Sequence, residues 1–524
     1  MKGRKQKSLL SAMLALLVCA AFSLCACSDG GGKASNTPEV DIEIAYWVSG
    51  FGVDYMNEIV AKFREKYPQY NVTFNSNSSM TQLSQSLSKG KDNTVDLYFC
   101  SWQTLSPYSD SFAPLDDVYD SAAEGETRTI GSKFPEDVKS TFQLADGHYY
   151  GLSYAGTTVA IAYNGDVIDG VNRKVPNTSD ELAALSIEIA NDRNAPAAWV
   201  HFEDLREGYY YGMLHTWQAQ YSGIDYYMNN WLTLTEETEE GKVSPSINVY
   251  LSETDGRKAA LEALGKCVAT STVLRNSNTM TYTNAQTHFV EGEAAMMANG
   301  GWLQNQMANT GGREMNMRMM KVPVLSALRE KLPSVNTDSQ LSALVSAIDA
   351  YAGGEKPLAG SGYSVTEEEW DRVSAARNYG YNNGAEHVAA MSKYTNSPTA
   401  SKAFLQFYFS EVGLSEYVNT LHQLPSATLD ESTEIDRSSW SAFENDLYEI
   451  SQNQTVIHDG GLNKEKLFSM NGQLNPYANV GLLNSLSASR PSDVKSASAI
   501  WESVKSEINS KWTSWLWNAG YTSN

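Results

Sequence analysis

The sequence predicts an α/β fold with mostly parallel sheets, and three stretches carry that expectation. Between residues 40 and 100 the pattern runs strand, helix, strand, helix, strand, the order that builds βαβ units. Ala294-Ala295-Met296-Met297-Ala298 is a short apolar run between Gly292 and Gly300-Gly301, as suits a strand buried on both faces. Residues 157–163 are apolar enough for a second central strand. After removal of a leader, about 490 residues remain, more than one hydrophobic core usually serves, so two or more domains are expected.

Taken in order, Lys2, Arg4, Lys5 and Lys7 precede an apolar run over residues 9–25 that is short for a membrane span, the pattern of an export signal over residues 1–26. Residues 27–38 are rich in Gly, Ser, Asn and Pro and read as a flexible tether. A first strand at 40–48 ends in Tyr46-Trp47 and turns at Ser49-Gly50. Tyr55, Ile59, Phe63 and Tyr67 then recur every four residues as one helix face, which Pro68 stops. A strand at 70–74, a polar helix at 80–87 and a strand at 95–100 follow, the last emptying into Ser101-Trp102-Gln103-Thr104. Residues 142–164 read as a hairpin-like pair of strands around Asp146-Gly147, and a first domain is expected to end near residue 165.

Pro176-Asn177-Thr178-Ser179-Asp180-Glu181 gives an N-cap before the next helix. Residues 199–231 are dense in aromatics, and the run Tyr209-Tyr210-Tyr211 cannot face one way on a helix, so some of these rings line a surface or cleft. A helix over 255–267 leads to the glycine-bounded strand. Trp302 stands at that strand's carboxyl end, where open α/β sheets hold their ligands. Spacing alone leaves Trp302 open as a core residue or a ligand contact. A strand is expected at 319–325. Over 326–377 periodicity weakens except for a helix start at Thr366, and this stretch reads as an insertion. A glycine- and aromatic-rich loop at 379–384 precedes an apolar strand at 387–391 and a helix capped by Ser397-Pro398. Ile500, Val504, Ile508, Trp512 and Leu516 mark a last amphipathic helix within a C-terminal segment, 426–524, that packs on the body.

Composition excludes several functions. The formal charge is −22, and loss of the four basic residues before Cys27 takes it to −26, which disfavours nucleic acid and anionic membrane surfaces as partners. With Cys19 and Cys25 in the leader, only Cys27, Cys100 and Cys267 remain, so this is no disulfide scaffold. No Cys/His cluster has zinc spacing, and HExxH, GxxxxGK[ST] and GxGxxG motifs are absent. No metal, cofactor or catalytic residue is expected.

The order of signals resembles the extracellular solute-binding proteins of ABC importers, in the large family that takes up sugars. Ile44-Ala45-Tyr46-Trp47 with Ile59 through Pro68, Val95-Asp96-Leu97 with Phe112-Ala113-Pro114-Leu115, and Asp146-Gly147-His148-Tyr149-Tyr150-Gly151-Leu152 match that family's opening half. His288 through Trp302 is the most specific match, and Lys402-Ala403-Phe404-Leu405-Gln406-Phe407 through Leu424-Pro425 resembles the family's tail. The resemblance covers most of the chain outside 326–377, and weakens after Ser426. It implies two α/β lobes closing like a hinge over a sugar: residues 39–165 with a return at 385–425, and residues 166–380. It implies sugar stacking on Trp302, with Gly301 beside it. It implies polar contacts from Trp102 and Gln103, and cleft positions for Trp47, Ser49, Tyr381 and Asn382. Leu24-Cys25-Ala26-Cys27 resembles a bacterial lipobox, in which Cys27 carries lipid on the outer face of the cytoplasmic membrane. The implied partners are a carbohydrate, oligosaccharide before monosaccharide, and the importer's permease subunits; a monomer is expected.

Acidic and aromatic content also suits a secreted glycan-acting hydrolase, the main alternative, but such an enzyme needs two carboxylates at a set separation and no local motif marks a pair. Gly151-Leu152-Ser153-Tyr154-Ala155 lacks the final glycine of an esterase elbow.

Overall fold

The computed structural model describes residues 40–48, 50–75, 80–144, 146–202, 209–224, 235–237, 243–245, 247, 256–312, 314–382, 387–457 and 480–518. The expected leader, the tether with Cys27, and Ser49 lie outside the described residues. The strands in chain order are β1 (Val40–Tyr46), β2 (Tyr70–Asn75), β3 (Leu97–Ser101), β4 (Leu152–Ala155), β5 (Thr158–Asn164), β6 (Ala197–Trp199), β7 (Thr235–Glu237) and β8 (Val243–Pro245). They continue with β9 (Ala294–Gly300), β10 (Met317–Met320), β11 (Ala359–Gly360), β12 (Tyr363–Ser364), β13 (Tyr379–Asn382), β14 (His387–Met391) and β15 (Thr455–Ile457).

Two main sheets result. The first has the order β2-β1-β3-β14-β4. Its β1, β2 and β3 run parallel, as the alternation of strands and helices requires, and β14 enters antiparallel between β3 and β4. The helix Asp54–Lys66 covers it with Tyr55, Met56, Ile59, Val60 and Phe63, the face that the four-residue repeat marks. The second sheet has the order β15-β13-β5-β9-β6. Here β5 pairs antiparallel with β9 along one edge, and with β13 and then β10 along the other. All seven residues of β9 are buried. Gly292 sits at φ +81 just past the helix Tyr282–Val290, ending it as a left-handed cap that glycine adopts without strain.

Several expectations are corrected. Residues 142–164 pair only across the Asp146-Gly147 turn, where Gln143 bridges Tyr149 antiparallel; β4 belongs to the first sheet and β5 to the second, so the chain passes between sheets at residues 156–157, earlier than residue 165. Apolar runs identify strands but not the sheet they join, which long-range pairing decides. The expected loop at 379 begins as β13, held between β5 and β15. The strand expected at 319–325 is the earlier β10. Cys100 and Cys267 are separate buried thiols, and burial pushes both up in pKa.

Residues 326–377 form a small unit with its own core, in which Leu328, Leu341, Leu344, Val345, Trp370 and Val373 are buried together. Capping boxes at Thr337/Gln340 and Thr366/Glu369 start its helices Asp338–Asp349 and Glu367–Asn378. The last helix, Ala497–Asn518, buries Ile500, Val504 and Ile508, while Trp512 is half-buried.

After β6, burial holds the imidazole of His201 down at about 4, against the usual 6.5, and its Nε2 pairs with Asn278 Oδ1. The folded chain keeps this ring neutral, whereas the unfolded chain protonates it below pH 6.5. Its contribution to stability is therefore complete above pH 6.5 and is lost as pH falls towards 4, by about 2 kcal/mol between pH 6.5 and 5. His201→Gln is expected to flatten this part of a denaturant-unfolding pH profile; an unaltered slope would rule the ring out as the source.

Candidate ligand-binding site

The chain leaves β9 through Gly300 and Gly301, which sets Trp302 at the head of the short helix Leu303–Gln306. Three devices hold its indole, which is 5% exposed. Nε1–H donates to the Tyr282 hydroxyl at 2.7 Å. A Cβ on Gly300 would collide with the six-membered ring at Cζ3 and Cη2, so the glycine is what lets the indole fold over the strand end. A Cβ on Gly50 would lie 2.7 Å from Trp302 Cβ and 2.8 Å from Cγ. Gly50 follows β1 of the first sheet, whereas Trp302 follows β9 of the second. Loops from both sheets therefore meet on this side chain.

Behind the indole stands an aromatic box. Tyr209 meets Trp302 edge-on at 5.4 Å, and Phe202, Tyr209 and Tyr282 contact one another with centroids 5.1 to 5.9 Å apart. Tyr209 holds φ +66, a left-handed conformation uncommon for a bulky residue, at the start of the helix Tyr210–Ser222. The three-tyrosine run divides as its spacing requires. Tyr210 is fully buried, Tyr209 turns to Trp302, and Tyr211 turns to Tyr381 at 5.6 Å. Burial pushes the Tyr282 phenol upward in pKa, so it remains a neutral hydroxyl.

The other positions expected at the site divide. Half-buried Trp47 stacks on His387 at 5.3 Å and 14°, and Phe51 meets the same imidazole edge-on at 4.8 Å. Trp47 thus lies on the Gly50 loop, next to the strand that returns to the first sheet. Tyr381 is 6% exposed and stacks with His215 at 5.8 Å; Asn382 beside it is half-buried. Gly301 is buried where a Cβ would strike Thr157 Oγ1 and Leu447 Cδ2. Trp102 is 1% exposed and packs edge-on to Phe142 at 5.4 Å, on the first sheet's side. Gln103 follows it in the helix Trp102–Leu105, and its side chain lies outside the described residues. Sequence reasoning did not single out Phe202, Tyr282, His387 or Gly50 for this candidate site; the forewarnings were the aromatic density near residue 209 and the turn at Ser49-Gly50.

Among the described residues, one group could supply three metal donors: His288, Glu291 and Glu293, with ligand atoms within 4.8 Å of one another. It lies before β9, at the other end of that strand from Trp302, and its side chains are largely exposed. The Trp302 site itself offers flat aromatic faces, hydroxyls and amides, the chemistry of neutral polar ligands with C–H surfaces.

The model of a bacterial extracellular solute-binding protein matches residues 58–435, more than half of the chain. The chain belongs to that family. It is a family of binding proteins, not of enzymes. No curated protein matches the chain by sequence. Among solved structures, apo RafE from Streptococcus pneumoniae matches this solute-binding protein with a TM-score of 0.60 at 12% identity, over 91% of this chain and 99% of that one. Maltose-bound MalE3 of T. maritima gives 0.55 at 13%, over 90% and 99%. The GacH receptor of Streptomyces glaucescens, known with acarbose, gives 0.55 at 13%, over 92% and 100%. These likenesses establish the two-lobed α/β fold of binding proteins. No helix among the described residues is long and apolar enough to cross a membrane.

Proposed function

We propose that this solute-binding protein captures a saccharide, an oligosaccharide before a monosaccharide, between its two lobes and delivers it to the permease subunits of an ABC importer. Cys27 carries the lipid that keeps it at the outer face of the cytoplasmic membrane. The observation that carries this reading is Trp302, backed by an aromatic box from the second sheet and met by Gly50 from the first. A sugar ring needs such a face for its C–H side, and polar partners for its hydroxyls, since each buried hydroxyl left unpaired costs about 1–3 kcal/mol. The solved relatives in complex with raffinose, maltose and acarbose support the ligand class. Because Gly50 covers the indole here, a ligand must enter while the two loops are apart, and contacts to both lobes then favour closure.

Calorimetry against mono- and oligosaccharides tests the reading, with Trp302→Ala expected to weaken binding of any hit by at least about tenfold, roughly 1.4 kcal/mol. Equal affinity in a variant of native circular dichroism would remove Trp302 from the site. Turnover of a glycan would favour the hydrolase instead. Cys27→Ala is expected to move the protein from the membrane fraction to the medium.

A further inference from the structure

The indole N–H of Trp302 begins a chain of hydrogen bonds that ends inside the second lobe. It donates to Tyr282, Tyr282 donates to Gln306 Oε1, and that same oxygen accepts from Gln286 Nε2 at 3.0 Å. The direction of the first bond is fixed. An indole nitrogen can only donate, so the phenol oxygen must accept from it and its proton must go onward. Gln306 presents its carbonyl oxygen to both Tyr282 and Gln286. Gln286, at the far end, is buried, and Gln306, an exposed residue, belongs to the short helix that begins beside Trp302.

We propose that Tyr282 is the positioning residue of the binding site, fixing the plane of the Trp302 indole through the chain Trp302–Tyr282–Gln306–Gln286. This rests on Trp302 as the surface on which the ligand stacks. Gly300 and Gly50 give the indole room along its edges, but a glycine bounds a ring without orienting it. The bond to Tyr282 supplies the direction. A plane set before the ligand arrives removes one ordering cost from binding, so the chain acts on affinity without touching the ligand.

The test compares Tyr282→Phe, which keeps the ring packed on Phe202 and Tyr209, with Gln306→Glu, which keeps an acceptor, and Gln306→Leu, which does not. In tryptophan-15N-labelled protein without ligand, the Trp302 indole resonance is identified by its loss in Trp302→Phe. Its hydrogen exchange is expected to quicken by about tenfold or more in Tyr282→Phe and Gln306→Leu, and to stay near wild type in Gln306→Glu. Unchanged exchange in Tyr282→Phe overturns the proposal. Binding of raffinose, maltose and maltotriose is measured on the same set. Quickened exchange with no saccharide bound by any form would sink the saccharide reading and leave the positioning role standing. A saccharide held as tightly by Tyr282→Phe as by wild type, yet lost in Trp302→Ala, would sink the positioning role alone.

Discussion

Replacing Lys133 by methionine is expected to cost about 3–5 kcal/mol of folding stability. The Lys133 side chain is fully buried. Its Nζ donates to Glu126 Oε2 at 2.6 Å and to the Phe409 carbonyl at 2.9 Å. Glu411 Oε1 lies 3.1 Å away, in ion-pair range though off a hydrogen-bonding direction. The two carboxylates are committed elsewhere as well: Glu126 accepts from the Glu411 N–H, and Glu411 from the Asp430 N–H and the Thr433 hydroxyl. One ammonium thus ties residues 126–133 to the start of the helix Glu411–Leu421 and to the chain beyond it. Methionine fills the volume but leaves two carboxylates facing each other with no cation. Urea unfolding of Lys133→Met and of Lys133→Met/Glu126→Gln/Glu411→Gln separates the effects. The triple variant is expected to recover part of the loss, because the uncompensated charge is gone. If the single variant unfolds at the wild-type midpoint, the site contributes packing only.

Much of this architecture was legible because local patterns are local causes. The Asp54–Lys66 helix follows from an apolar residue every four positions, and β9 from an apolar run closed by glycines. What escaped depends on contacts between distant residues. Trp102 stands at the carboxyl end of β3, but the ring it packs against, Phe142, lies 40 residues along the chain. Which sheet β5 joins was hidden for the same reason: β4 and β5 differ in partners, not in composition. The insertion lacked a single long periodicity because its core is assembled from two 12-residue helices and the short segments around them. Tyr282 is the first residue of a helix that no sequence pattern singled out, and its hydroxyl meets the indole only because Trp302 is folded against it.

Gly50→Ala is expected to weaken ligand binding by about 100-fold, near 3 kcal/mol, while leaving the unfolding temperature of the ligand-free protein close to wild type. The added methyl would sit 2.7 to 2.9 Å from Trp302 Cβ, Cγ and Cδ1. These atoms are the root of the side chain, not its free end, so rotation about χ angles moves Cβ not at all and relief must come from the backbone. The backbone of Trp302 is pinned between β9 and the helix Leu303–Gln306, with Gly301 already pressed on Thr157 and Leu447. The Gly50 loop must therefore withdraw, and withdrawal means the lobes cannot close fully. Each lobe alone gains no clash, which is why the ligand-free melting temperature is spared if the open state dominates without ligand. Affinity falls because only the closed state touches ligand from both sides, and a variant that raises the energy of that state reduces apparent affinity by the same factor. Small-angle scattering should find ligand-saturated wild type more compact than ligand-saturated Gly50→Ala. A variant that binds with wild-type affinity and compacts equally would mean that the Gly50 loop does not rest on Trp302 in the ligand-bound state.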